Sequence, residues 1–312
     1  MVFIIFYKLI NPKLFYFGMD ITVGVCAYNE EANIGKLLAQ ILTQRTKEFR
    51  IKEVIVVSSG STDKTDEIVE RFAQRYGKVV LMRQRKRAGK YSAINLILKH
   101  SQTPIIVLMS GDILLQPTTV EQLCKPLKNP KVGICGSHPI PLNPPKSWLG
   151  FAVHVVWHLH HQIAMRQPKF GECIAFRRVF EELEPTAVDE EYIASLILKM
   201  GYQGRYVADA IIHNKGPTTI KDFIKQRRRI FAGHLYLKHQ TGYTPPTMSN
   251  LCLVKLILSQ IDFRAPFKTG FAILLEAISR ALGYWDFRIG RSHIIWQQVK
   301  STKVLDTKPP TK

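Results

Sequence analysis

Asp112 closes the run Ile105-Ile106-Val107-Leu108-Met109-Ser110-Gly111-Asp112. Its five apolar residues read as a buried strand that delivers one carboxylate to a sheet edge. Ligands of open α/β sheets bind beyond the carboxyl ends of the strands. A carboxylate there is a hard oxygen ligand, suited to a Mg²⁺ or Mn²⁺ ion that also holds substrate phosphates. The same aspartate would equally well cap a helix that follows the strand.

Three more apolar runs end in chemistry-bearing residues. The first ends in Ala27-Tyr28-Asn29-Glu30-Glu31, the second in Ser58-Ser59-Gly60-Ser61-Thr62-Asp63-Lys64-Thr65, and the third leads to Arg85-Lys86-Arg87-Ala88-Gly89-Lys90. Taken singly, Asn29 and Asp63 are ordinary helix caps and the Arg/Lys run a solvated loop. Four such ends on one edge would instead bring together polar contacts to a base and ribose, cations for phosphate, and a metal carboxylate. No GxGxxG follows the first strand, and Gly89-Lys90-Tyr91-Ser92 lacks the earlier glycine of a phosphate-binding P-loop. The nucleotide site is therefore of another kind.

The elements that must position these groups alternate. Strands are expected at Ile21–Ala27, Glu53–Val57, Val79–Met82 and Ile105–Met109, with helices at Ala32–Thr43, Asp63–Tyr76 and Tyr91–Lys99 between them. This rhythm predicts a mostly parallel sheet covered on both faces. Further on, helices are expected near Ser147–Met165, at Asp189–Met200 and at Thr219–His239, with strands near Cys173–Phe176 and at Gln203–Val207. Leu251–Ile261 and Pro266–Trp285 are apolar but interrupted by charge, which fits amphipathic helices on a membrane or on the domain better than spanning ones. The aromatic, Lys-interrupted N-terminus reads the same way, as an interfacial anchor or a segment packed on the domain.

The chain has 312 residues and a net charge of +20. That balance implies a polyanionic partner: nucleic acid, an anionic membrane surface or nucleotide phosphates. Aromatics do not interleave with the basic runs, so no nucleic acid is expected. Five scattered cysteines without a CxxC pair disfavour a zinc knuckle and read as reduced core residues of a cytosolic protein. His154, His158 and His161 share a helical face at zinc-compatible spacing, but no carboxylate or cysteine joins them locally. An acceptor- or headgroup-facing helix is the simpler reading.

Taken in order, Ala27-Tyr28-Asn29-Glu30-Glu31, Gly60-Ser61-Thr62-Asp63, Gly89-Lys90 with Ala93-Ile94-Asn95, Gly111-Asp112 and Gln226-Arg227-Arg228-Arg229 resemble the motifs of the family 2 glycosyltransferases. The resemblance runs from about Ile21 to His239. It implies an α/β GT-A nucleotide-diphospho-sugar transferase fold with helices on both faces and C-terminal amphipathic helices. It further implies inverting, metal-assisted transfer from a nucleotide-sugar donor to a lipid-linked or glycan acceptor.

The donor site so implied comprises Ala27, Tyr28, Asn29, Glu30, Ser59, Asp63, Lys90, Gly111, Asp112, Gln226 and Arg229. The metal, Mg²⁺ or Mn²⁺, would use Asp112 as the surviving acid of the DxD motif. His213 would complete that site, or else is a structural histidine. Asp189-Glu190-Glu191 resembles the acceptor-base motif with its acids exchanged, so the base is Glu190 or Asp189; as first-turn acids they would also offset the helix dipole. Glu172 would shape the acceptor pocket.

Ser58-Ser59 stands where the family usually has two acids, Ser110 where DxD has its first, and Ile230 where QxxRW has tryptophan. Those departures keep a catalytically impaired transferase-fold protein in play, beside a nucleic-acid-binding protein and a nucleotidyltransferase. The organisation predicted is an apolar segment over 1–18, a catalytic domain over 19–242, an amphipathic extension over 243–300 and a disordered basic tail over 301–312. The protein is expected at the cytoplasmic face of the membrane, bound peripherally, in cell-envelope glycan synthesis.

Overall fold

The structure, a computed structural model, describes residues 18–248, 265–295 and 299–305. Strands are β1 (Met19–Ala27), β2 (Phe49–Ser59), β3 (Val79–Gln84), β4 (Ile105–Ser110), β5 (Leu114–Leu115), β6 (Val132–Pro141), β7 (Cys173–Arg177) and β8 (Gln203–Asn214). Helices are α1 (Ile34–Leu42), α2 (Thr65–Arg75), α3 (Lys90–His100), α4 (Thr119–Cys124), α5 (Trp148–Arg166), α6 (Asp189–Lys199), α7 (Ile220–Thr241) and α8 (Pro266–Arg288). The strands form one eight-stranded sheet in the order β3-β2-β1-β4-β7-β6-β8-β5.

The first half is the parallel unit that the alternating pattern predicts. β1 pairs in parallel with β2 and β4, and β2 with β3. β7 runs antiparallel to both β4 and β6. The apolar runs are nearly unbroken because both faces are covered. In β4, Ile105, Val107 and Met109 enter one core with α1, while Ile106 and Leu108 enter the other with α3 and α6. On α1, Ile34, Leu37, Leu38 and Ile41 are all buried, the stripe that a period of 3.6 produces.

Helix ends follow local chemistry. Ser147 and Thr219 cap α5 and α7 by accepting from Gly150 N at 3.0 Å and Asp222 N at 3.2 Å. Gly242 ends α7 at φ 76°, a conformation that costs glycine little. α8 packs along α7 and α5. Cys26, Cys124, Cys135 and Cys173 are free thiols.

The expected helix at Leu251–Ile261 and nearly all of the N-terminal anchor lie outside the described residues. Residues 301–305, expected to belong to a disordered tail, are instead ordered: Val299–Leu305 packs onto the catalytic edge, with Val299, Thr302 and Leu305 buried. Composition suggested disorder, but these three side chains find a surface to bury against. Among the described residues, no helix is long and apolar enough to cross a membrane.

Candidate active site

The β1 and β2 ends are tied together by side chains. Asn29, at φ 52°, accepts from Thr62 N at 2.8 Å, and its own N–H donates to Ser61 Oγ at 3.1 Å. Asparagine tolerates that left-handed conformation better than most residues. Glu31 N donates to Asp63 Oδ2, and Lys64 N donates back to Glu31 Oε2, each at 3.1 Å. Asp63 also accepts from Thr65 N, the first residue of α2, at 3.0 Å. This brace fixes the turn from which Tyr28 and Glu30 project, and the Arg87 guanidinium stacks 4.1 Å from the Tyr28 ring centre.

Two ammonium groups organise the edge. Lys90 opens α3, donates to Ser110 Oγ at 3.0 Å and forms an ion pair with Glu190. Burial disfavours the Lys90 charge, yet its neighbours, Glu190 foremost and Asp189 among them, together outweigh burial and raise the pKa. Lys303 forms an ion pair with Glu30 and lies 3.0 Å from Asp112 Oδ2. Burial works against the Asp112 carboxylate, but Lys303 holds it below the usual range. Glu30 is pushed up to about 8, first by burial and then by the neighbouring Asp112 charge. Gly111 leaves room for this arrangement, since a Cβ there would sit 2.9 Å from Glu30 Cγ.

Across the cleft, α6 begins with Asp189, Glu190 and Glu191. Asp189 is raised to about 7 by burial, and its Oδ1 has no hydrogen-bond partner among the described residues. Burial disfavours the charged Glu190, but Lys90 keeps its pKa below the ordinary value. Glu191 points elsewhere, accepting from Lys169 Nζ at 2.8 Å and Tyr243 OH at 2.9 Å. Glu172 sits at φ 58°, and burial followed by the Asp112 charge pushes it to about 7.

A cavity of about 420 Å³ is lined by Lys90, Asp112, Glu172, Asp189, Glu190 and Arg229 together with apolar side chains of α5, α7 and α8, among them Val156, Trp157, Ile163, Ile230 and Ala272. That volume suits a small-molecule ligand. A second cavity, of about 70 Å³, is lined by Ala27, Tyr28, Glu30, Ser59, Arg87, Lys90, Asp112 and Lys303.

The sequence pattern of glycosyl transferase family 2 matches residues 22–173, and that of glycosyl transferase family group 2 matches residues 105–286. The chain belongs to glycosyltransferase family 2. Among its curated relatives, a dolichyl-phosphate beta-glucosyltransferase of Trichomonas vaginalis is 30% identical over 114 residues, 35% of each chain. An undecaprenyl-phosphate 4-deoxy-4-formamido-L-arabinose transferase of Edwardsiella ictaluri is 26% identical over 104 residues, 33% of this chain and 32% of its own. The chain thus spans about a third of the length of these relatives.

The fold is shared with a mannosyltransferase from Pyrobaculum calidifontis solved with GDP-mannose and Mn²⁺. That structure has a TM-score of 0.58 and 23% identity, covering 87% of this chain and 80% of its own. Glucosyl-3-phosphoglycerate synthase from Mycobacterium tuberculosis gives a TM-score of 0.52 at 20% identity, over 70% and 80% of the two chains.

Within this family 2 fold, Ala27, Tyr28, Glu30, Ser59, Lys90 and Asp112 border the smaller cavity. Lys90, Asp112, Asp189, Glu190, Gln226 and Arg229 border the larger. Asn29 and Asp63 instead brace loops, and Gly111 makes space. His213 pairs with Leu114 across β8 and β5 and lines neither cavity. Among the described residues no three His, Cys, Asp or Glu side chains form a metal cage. Glu30 and Asp112 do aim carboxylate oxygens at one cation, the Lys303 ammonium. Two hard oxygen donors completed by substrate phosphates are a donor set that suits Mg²⁺ or Mn²⁺.

Sequence reasoning missed Lys303, for which the only signal was a lysine in a basic tail. It also missed the partners of the arginine run. Arg227 pairs with Glu276 through two bonds of 2.8 Å, Arg228 pairs with Asp286, and Arg229 donates to Ala187 O at 2.9 Å.

Proposed function

We propose that the chain transfers a sugar, with inversion, from a nucleoside-diphosphate donor to a lipid-linked acceptor at a membrane surface. One observation carries this reading: a single cavity joins the charged strand-end cluster to apolar walls from α5, α7 and α8. Charged groups suit a diphosphate and a reacting oxygen, and apolar walls suit a hydrocarbon chain. The relatives named for dolichyl phosphate and undecaprenyl phosphate support the same acceptor chemistry.

In this mechanism the acceptor oxygen forms a bond to the anomeric carbon as the bond to the diphosphate breaks. Lys90 and Arg229 stabilise the charge that develops on the leaving nucleoside diphosphate. A divalent cation held by Asp112 and Glu30 would supply Lewis-acid charge to the same oxygens. Glu190, kept ionised beside Lys90, takes the proton where the acceptor oxygen carries one. Asp189, its neighbour on α6, lines the same cavity, and Glu172 borders the acceptor space.

The outer face of α8 supports peripheral membrane attachment. Phe267 is 81% exposed and Trp285 62%, with Leu274 and, just past the helix end, Ile289 also exposed, and Trp148 of α5 contacts Phe271 of α8 at its edge. Apolar and aromatic side chains of this kind enter the headgroup boundary, and a charge of +20 favours an anionic leaflet.

The test is a panel of nucleotide sugars with Mn²⁺ or Mg²⁺, offered to polyprenyl phosphates and to soluble glycans. The expected result is nucleotide release with a sugar-bearing lipid as product. Transfer to soluble glycans alone would remove the lipid acceptor, and a panel without any transfer would remove the reaction. Sedimentation with anionic liposomes checks attachment; failure to pellet at low salt argues against it.

A further inference from the structure

The segment Val299–Leu305 lies across the donor edge as a strap. Ser301 Oγ donates to Asp222 Oδ2 at 2.6 Å and accepts from Thr218 N at 3.3 Å. Lys215 Nζ donates to Val304 O at 2.9 Å, and Lys36 Nζ to Leu305 O at 3.2 Å. The Asn33 side chain donates to Lys303 O and accepts from Leu305 N. Leu305 is 1% exposed. These anchors carry the Lys303 ammonium to the point where Glu30 and Asp112 converge.

Two observations show what this placement does. The cavity bordered by Tyr28, Ser59, Asp112 and Lys303 is about 70 Å³, far below the roughly 300 Å³ at which small-molecule sites begin. With the strap in place, Lys303 takes up part of the space between Tyr28, Ser59 and Asp112. Lys303 also engages both carboxyl groups that would hold a divalent ion, Glu30 through an ion pair and Asp112 at 3.0 Å. A hard dication brings the charge that an ammonium lacks and gains phosphate oxygens as further ligands.

We propose that Lys303 is a tethered competitor for the divalent cation: the strap closes the donor site, and cation plus nucleoside diphosphate must displace its ammonium from Glu30 and Asp112. This rests on the donor reading given above. The competition is intramolecular, so its strength is set by an effective concentration that no dilution of the protein changes. The closed site thereby requires cation and diphosphate together before it opens.

The probe is Mn²⁺ alone, followed by the free-ion electron paramagnetic resonance signal, with full-length wild type and Lys303→Ala. Lys303→Ala is expected to bind Mn²⁺ at least tenfold more tightly. Equal or weaker binding would overturn the competition. Because that variant leaves two carboxylates facing each other and could fold poorly, a second measurement uses wild type only.

Hydrogen exchange of residues 299–305 is compared with and without Mn²⁺ and UDP or GDP. Faster exchange on adding both ligands supports displacement. Unchanged or slower exchange with bound nucleotide would mean that the strap stays and that Lys303 is a fixed part of the donor site. Tighter Mn²⁺ binding by the variant, with no nucleotide bound by either protein, would leave the competition standing and remove the donor reading. Nucleotide binding without a difference in Mn²⁺ affinity would do the reverse.

Discussion

The Lys90 ammonium donates to Ser110 Oγ at 3.0 Å. A neutral hydroxyl thus stands where the family's motif carries its first acid, and Lys90 keeps its charge for Glu190 and for an incoming diphosphate. Ser110→Asp would add a hard ligand near Asp112 and divert Lys90. The expected outcome is at least tenfold tighter Mn²⁺ binding together with a higher pKa for Glu190, since Lys90 no longer favours its ionised form alone. Mn²⁺ titration and the acid limb of the kcat–pH profile measure the two effects; unchanged values in both would show that Ser110 does not tune the site.

Glu190→Gln removes the group assigned as base while preserving shape. A lost general base costs about 10²–10⁴ in rate. With a hydroxyl acceptor the expected result is a kcat reduced by that factor, with nucleotide affinity within a few-fold of wild type. Asp189→Asn removes a neighbouring negative charge, so Glu190 ionises more easily. That variant should retain kcat within about tenfold at pH 8 and shift the acid limb to lower pH. Equal losses in both variants would assign the base to Asp189 or to the pair.

Glu172 offers a pH test of stability. Its folded pKa, about 7, lies above the ordinary glutamate value of about 4.3. The folded state therefore holds the proton more tightly than the unfolded chain. Its contribution is complete below about pH 4 and is lost as pH rises toward 7. Buried histidines such as His160 and His234, lowered by burial, act in the opposite sense. The clean quantity is therefore the melting-temperature difference between Glu172→Gln and wild type. It should move in the variant's favour from pH 5 to pH 8; a difference that does not change with pH would show that Glu172 is not held protonated.

The sheet edge was legible because its signals are local. Ile105–Met109 is apolar on both faces, so it reads as a buried strand, and Asp112 follows within three residues. β6 was not legible as a strand, because Gly133, Gly136, Ser137 and two prolines interrupt its pattern. β8 runs on to Asn214, past the Val207 at which it was expected to end, through pairing with β6 and β5. Asn29 and Asp63 carry the family pattern, but their side chains are occupied in bracing two loops. Lys303 was beyond reach: 191 positions separate it from Asp112, and its flanking Lys and Thr residues have the composition of a tail.

The cavity's apolar wall depends on a charge pair. Arg227 of α7 and Glu276 of α8 meet through two bonds of 2.8 Å, and Arg280 adds a third of 2.8 Å to Glu276. Burial opposes the Glu276 charge, but Arg227 pulls its pKa down to about 2. Glu276→Leu would strand the Arg227 guanidinium against an apolar wall. Stranding one member of a buried pair costs about 3–5 kcal/mol, and solvent reaching a fifth of each side chain places this pair at the lower end. Replacing both, Arg227→Met with Glu276→Leu, removes the unpaired charge and should recover most of that loss. Urea denaturation of the two variants gives the comparison. A double variant no more stable than Glu276→Leu alone would mean that Arg227 is not what the single substitution leaves exposed. If the double variant is restored and still turns over lipid acceptor, the pair's role is to hold α8 against α7 rather than to touch substrate.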